Sequence, residues 1–156
     1  MVARSLFLAS VAGAALLCAP AAVAADTTSG HDVAVPLSIT LNGVRAGDTP
    51  LYISVQTEAD YRSMEGHGTI VATTEAGTLT RSVELPAAGS YAVSVWHDLD
   101  NDGRFSMSDT YEIEDGWATS GVVPRGSAPT FSNAKVVVPG YGADIEIAMI
   151  YPEEGS

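Results

Sequence analysis

The chain has 156 residues, 46% of them hydrophobic, a length that holds one domain with a sizeable core. Its 19 acidic residues outnumber 7 basic ones, for a formal charge of −12. That field opposes binding to nucleic acid and to anionic membrane surfaces, and it favours cations.

At the N-terminus, Arg4 supplies a short positive region, Leu6 to Ala19 an apolar stretch, and Ala22-Val23-Ala24 a small-x-small cleavage site. Residues 1–24 therefore read as a signal peptide, with the mature chain starting at Ala25. The apolar stretch is too short to span a bilayer. Cys18 follows Ala15-Leu16-Leu17, whereas a lipid-attachment cysteine normally follows a small residue. Cys18 is the only cysteine and leaves with the signal, so no disulfide is expected, although the compartment permits them. The expected location is periplasmic or extracellular, with no membrane span after cleavage.

Residues 25–35 read as a lead-in, 36–152 as a single domain and 153–156 as a tail. Period-two alternation predicts strands at Val33 to Leu41, Leu51 to Val55, Leu79 to Leu85, Tyr91 to Val95 and Ile145 to Met149. The short apolar runs Ile70-Val71-Ala72 and Val136-Val137-Val138 suit core strands. Turn signals separate them at Asn42-Gly43, Ala46-Gly47-Asp48, Glu75-Ala76-Gly77, Pro86-Ala87-Ala88-Gly89 and Pro139-Gly140. About seven short strands with such punctuation predict an all-β, antiparallel β-sandwich. Helix is confined to two turns at Ala59 to Glu65 and one turn at Ser108 to Glu112. The stretch from Glu114 to Ser132 reads as a long loop, and loops of that length are often functional.

The most informative stretch runs from His97 through Asp98-Leu99-Asp100-Asn101-Asp102-Gly103-Arg104-Phe105-Ser106 to Asp109. Carboxylates fall at positions 1, 3, 5 and 12 of a twelve-residue calcium loop, with glycine at 6. Asp98, Asp100 and Asp102 can each present an oxygen to a common centre, and Gly103 permits a positive φ. The carbonyl of Arg104 and the hydroxyl of Ser106 complete the set, Phe105 pins the loop to the core, and Asp109 closes it. Aspartate at the closing position reaches less far than the usual glutamate, so a weak Ca²⁺ site in the ~10⁻⁴ to 10⁻³ M range is expected. Glu112 is an alternative closing ligand. The strand-like entry, Tyr91 to Trp96, is not that of an EF-hand. The competing reading is an Asx-rich hairpin whose side chains cap their own backbone.

Trp96, Trp117, Tyr111 and Tyr141 are candidates for a sugar-stacking platform, with Trp117 the best of them because it lies in the long loop. His31, His67 and His97 show no metal spacing, and the carboxylates beside His97 would favour its charged form. No Gly-x-Ser-x-Gly, His-Glu-x-x-His or phosphate-binding glycine loop occurs, so no enzyme is expected.

Gly89-Ser90-Tyr91-Ala92-Val93-Ser94-Val95-Trp96-His97-Asp98, followed by Asp-x-Asp-Gly, resembles the bacterial family catalogued as domain of unknown function 2141. That family has a Gly-x-Tyr-Ala-Val strand leading into His-Asp and an Asn/Asp-Gly loop. Glu114-Asp115-Gly116-Trp117-Ala118-Thr119-Ser120, Pro129-Thr130-Phe131-Ser132-Asn133-Ala134 and the closing Ile145 to Pro152 are similar to its later elements. The resemblance runs from about Leu37 to Pro152 and is tightest from Gly89 to Ala134. It implies an exported immunoglobulin-like or transthyretin-like sandwich and no activity. Members often carry asparagine where this chain has Asp100 and Asp102, so this chain is a metal-competent version of the loop. The resulting expectation is a non-enzymatic exported sandwich with a structural calcium loop, acting on an envelope protein or glycan. The alternative is a carbohydrate- or small-ligand-binding module using the aromatics of the 114–132 loop.

Overall fold

The computed structural model describes residues 34–152, apart from 62, 64, 65, 110, 111, 125 and 126. The signal peptide, Cys18, His31, most of the lead-in, the tail and Tyr111 lie outside the described residues. Among the described residues there are eight strands: β1 (Val35–Val44), β2 (Leu51–Gln56), β3 (His67–Val71), β4 (Gly77–Leu85), β5 (Gly89–His97), β6 (Gly116–Thr119), β7 (Lys135–Val138) and β8 (Ala143–Ala148). One four-residue helix, α1, spans Phe131–Ala134. No helix among the described residues is long and apolar enough to cross a membrane.

The strands form a three-stranded sheet in the order β4-β1-β8 and a five-stranded sheet in which β3-β2-β5-β6 is extended by β7, also beside β5. Alternation decides which face of each turns inward. Leu37, Ile39 and Leu41 of β1 are buried, as are Leu51, Ile53 and Val55 of β2 and Val93 and Val95 of β5. They join in one cluster that also takes in Val83, Leu85, Val138 and Ile147. Each fully buried aliphatic side chain of this kind contributes about 1.5–3 kcal/mol. The all-β sandwich read from the alternation is therefore the observed architecture.

Several local expectations are corrected. The added strand is β6, inside the segment read as a loop; its alternation lasts only four residues, too few to stand out in sequence. Asn42-Gly43 is not a turn but a bulge within β1, where Gly43 takes φ 75° and the register to β4 shifts between Asn42 and Val44. The described part of 59–65 is a turn rather than a helix. Thr57 Oγ1 donates to Asp60 Oδ2 at 2.6 Å and Ser63 N–H donates to the Asp60 carbonyl, so local side-chain bonds displace the helical ones. The described ends of 108–112 pair with each other rather than in helical register: Ser108 N–H donates to the Glu112 carbonyl, Glu112 N–H donates to Ser108 Oγ, and Met107 bridges Ile113.

The sheet is not wholly antiparallel, because β8 runs parallel to β1. The start of β1, the end of β4, the start of β5 and the end of β7 all lie at one edge of the sandwich, since Val35 faces Leu85 and Gly89 faces Val138. A chain leaving β7 there enters the other sheet at the starting end of β1 and must run with it. Gly142 makes the crossing at φ 94°, so close to Pro36 that a Cβ would lie 2.5 Å from its carbonyl oxygen.

β6 and β7 sit end to end against one edge of β5, pairing with Ser94–His97 and Gly89–Ala92 respectively. Val93 falls at the joint. Its N–H donates to Ser120 Oγ at 2.8 Å, Ser120 N–H donates to its carbonyl at 2.9 Å, and Ser120 Oγ donates to the Ala134 carbonyl at 2.5 Å. Ser120→Ala leaves a buried donor and a buried acceptor unpaired. Equilibrium urea unfolding should show a loss of about 1–3 kcal/mol, against a near-neutral change for Ser132→Ala on the exposed side of α1.

Candidate functional site

The segment from Asp98 to Asp115 is the connection of a single hairpin, because His97 and Gly116 form the last pair between β5 and β6. The acidic residues it carries are thus held at one end of the sandwich. Asp98 and Asp115 flank the mouth of the hairpin and are both fully buried.

Asp98 accepts the N–H of Asp102 on Oδ1 at 3.2 Å and that of Gly103 on Oδ2 at 3.0 Å. Asp100 Oδ1 also accepts from Asp102 N–H at 3.2 Å, and Asp102 Oδ1 accepts from Arg104 N–H at 2.7 Å. Asn101 at φ 58° and Gly103 at φ 76° turn the chain so that these amides point inward. The positive φ expected at Gly103 is present. One oxygen from each of Asp98, Asp100 and Asp102 lies within 4.8 Å of the others. Asp109 is exposed and is not part of this trio. Arg104 and Ser106 take part through their backbone amides: that of Arg104 goes to Asp102 and that of Ser106 to Asp115.

Asp115, which carries no site role in the sequence pattern, organises the whole end. Oδ1 accepts Leu99 N–H at 2.9 Å, while Oδ2 accepts both Ser106 N–H and the Trp96 indole N–H at 2.9 Å. One carboxylate therefore ties the outgoing strand, the start of the loop and its return. Its sequence signal was weak: an acid directly before a glycine and a short alternating stretch.

His97 is buried on the other side of β5 from Trp96. Its Nε2 lies 3.2 Å from Thr49 Oγ1 and its Nδ1 2.9 Å from the Tyr151 hydroxyl. Tyr151 in turn accepts Arg45 N–H at 3.1 Å, and the Arg45 guanidinium sits 4.6 Å above its ring. Burial lowers the His97 pKa, against the pull of Asp115 and Asp98. The neutral form is favoured, opposite to the expectation from its neighbours, because desolvation outweighs the attraction. Burial likewise raises the Tyr151 pKa.

The outward face of the five-stranded sheet is built in rows. Register places Ile70, Tyr52, Trp96 and Trp117 side by side, one from each of β3, β2, β5 and β6. The next row holds Gly68, Ser54, Ser94 and Thr119. Large residues beside small ones leave a trough of about 1120 Å³. Phe105 and Met107 of the acidic hairpin and Tyr61, Ala128 and Pro129 of other loops stand around it. Tyr52 stacks on Trp96 at 4.5 Å and 14°, and Phe105 meets Trp96 edge-on at 6.4 Å. Phe105 is therefore not a core pin: it is 45% exposed and packs outside the sheet. The four candidate aromatics do not form one platform either. Tyr141, 87% exposed, lines a separate depression with Pro36 and Pro139.

These features describe a small β-sandwich with an acidic hairpin beside an aromatic sheet face. The chain belongs to the DUF2141 family, described as an uncharacterized protein conserved in bacteria, whose model matches residues 39–146. That span includes both the hairpin and the trough. No curated protein and no solved structure matches the chain.

Asp115→Asn turns one accepting oxygen into a donor facing an N–H; chemical denaturation should show a loss of about 3 kcal/mol, with a change in the Trp96 fluorescence maximum. His97 gives a pH signature. Its folded pKa lies below the ordinary value of about 6.5, so the unfolded chain takes up the proton first as pH falls. Its contribution is full above about pH 6.5, is lost as pH falls towards the lowered folded value, and does not decline further below it. Melting temperatures between pH 8 and pH 5 should fall accordingly, and His97→Gln should flatten that part of the profile.

Proposed function

We propose that this protein is an exported, non-catalytic binding module of the periplasm or cell exterior, and that its acidic hairpin is a weak structural Ca²⁺ site bracing one wall of the trough. The observation that carries the reading is the convergence of Asp98, Asp100 and Asp102 on a loop whose return, through Asp115, also holds Trp96. Calcium takes six to eight oxygen ligands. Each of the three carboxylates uses its lone pairs only in part on backbone amides, so each keeps acceptor capacity for a cation. The Arg104 carbonyl and the Ser106 hydroxyl are the next donors along the loop. Asp109, outside the trio, would serve only as a distant closing ligand, which keeps the site weak. Repulsion among three carboxylates supports an ion there: two charges ~4 Å apart cost about 1 kcal/mol even in water.

The non-catalytic reading is supported by the trough itself, where no Asp, Glu, His, Lys or Arg is among the described lining residues. The expected partner is a protein or glycan of the cell envelope.

Calorimetric titration of Ca²⁺ into metal-free mature protein should show binding at ~10⁻⁴ to 10⁻³ M. At 5 mM Ca²⁺ the melting temperature should rise by about 5 °C. Asp100→Asn with Asp102→Asn keeps the amide-capping oxygens but removes two charges, and should weaken binding about tenfold while preserving the apo melting temperature. Absence of both heat and thermal shift in the wild type would sink the calcium reading.

A further inference from the structure

We infer that the trough on the five-stranded sheet is a binding site for a neutral oligosaccharide chain, with Trp117 as its stacking platform. This deepens the binding-module reading and rests on it, but not on the calcium.

The first argument is charge. The chain carries 19 acidic residues, yet among the described residues that line the trough there is no carboxylate, imidazole, amine or guanidinium. An anionic or cationic ligand would find no counter-charge among those described lining residues. A neutral ligand meets no penalty for leaving water beside an unpaired charge.

The second argument separates the two tryptophans. Trp96 is committed: Tyr52 covers one face, Phe105 abuts it and Asp115 holds its indole N–H. Trp117, its neighbour in the same row, is half-buried and has neither a ring contact nor an indole hydrogen bond among the described residues. The strand fixes Trp117 through paired N–H and carbonyl bonds to Ile150 at 2.8 Å each, so its ring is presented on rigid backbone. An aromatic face held in this way suits the C–H face of a sugar ring and costs little entropy to use.

The third argument distinguishes a sugar from a lipid chain. Beside the aromatic row lies a floor of hydroxyls. Ser54 and the hydroxyl of Tyr52 have no hydrogen-bond partner among the described residues. A hydrocarbon would leave these groups dry and unpaired, whereas sugar hydroxyls can both donate to and accept from them. At about 1120 Å³ the trough exceeds the ~300–1,000 Å³ common for small-molecule pockets, which favours a chain over a single ring.

The test is calorimetry and tryptophan fluorescence on the mature protein with cellohexaose, xylohexaose, mannohexaose and N-acetylchitohexaose, with hexagalacturonate as the anionic counterpart. At least one neutral chain should bind in the micromolar to low-millimolar range and hexagalacturonate should not. Affinity should change less than about twofold between low and high salt. Trp117→Ala should lower it about tenfold or more, Trp117→Phe should restore most of it, and Tyr141→Ala, outside the trough, should leave it unchanged. Failure of all four neutral chains to bind folded protein overturns the assignment, as does binding that survives Trp117→Ala. So does a sedimentation profile in which Trp117→Ala converts a dimer to a monomer, which would identify a second copy as the occupant. Each titration is run in EDTA and in Ca²⁺. Sugar binding without any calcium response overturns the calcium reading alone, and calcium binding without sugar overturns the sugar site alone.

Discussion

Three N–H groups converge on the buried carboxylate of Asp115, and the acidic hairpin's end of the molecule is organised around that convergence. A carboxylate taken out of water needs several donors to be tolerated, and here they come from the end of β5, the beginning of the loop and its return. The same bonds that satisfy Asp115 bring both ends of the acidic hairpin together and set the tilt of the Trp96 ring. Asp98, equally buried, repeats the arrangement by collecting the amides of Asp102 and Gly103. The hairpin is folded inward on its own carboxylates, and the trio of Asp98, Asp100 and Asp102 is a consequence of that folding.

The sheet supplies the second half of the design. Because side chains alternate, one face of β2, β5 and β6 fills the core while the other faces outward. Large residues are gathered into one cross-strand row and small hydroxylated ones into the next. A trough follows from that arrangement without any loop having to create it. Phe105 and Met107 then connect the two halves, since they belong to the acidic hairpin yet stand over the sheet face. Order in the hairpin and shape of the trough are mechanically coupled at Trp96.

Much of the fold was legible in the sequence because hydrophobic alternation is a local signal. Val35 to Leu41, Leu51 to Val55 and Tyr91 to Val95 announced their inner faces directly. What stayed hidden depended on partners distant in sequence. β6 is four residues long and is a strand because β5 offers it an edge. β8 runs parallel to β1 because of where β7 ends. His97 is neutral-leaning because packing around it outweighs two nearby carboxylates, a balance that no neighbour-counting along the chain can strike.

The candidate site divides in the same way. The spacing of Asp98, Asp100, Asp102 and Gly103 marked a tight acidic turn but left open whether its carboxylates face a common centre or cap their own backbone; in the structure they cap the amides of residues 102–104 and bring one oxygen each within 4.8 Å of the others. Sequence alone also marked the sandwich and gave the tryptophans as candidate ligand residues. Tertiary structure decided that Asp109 lies outside the trio, that Asp115 is the keystone and that Trp96 is committed while Trp117 is not. Those outcomes rest on burial and on strand register, which are properties of several segments brought together and are written in none of them singly.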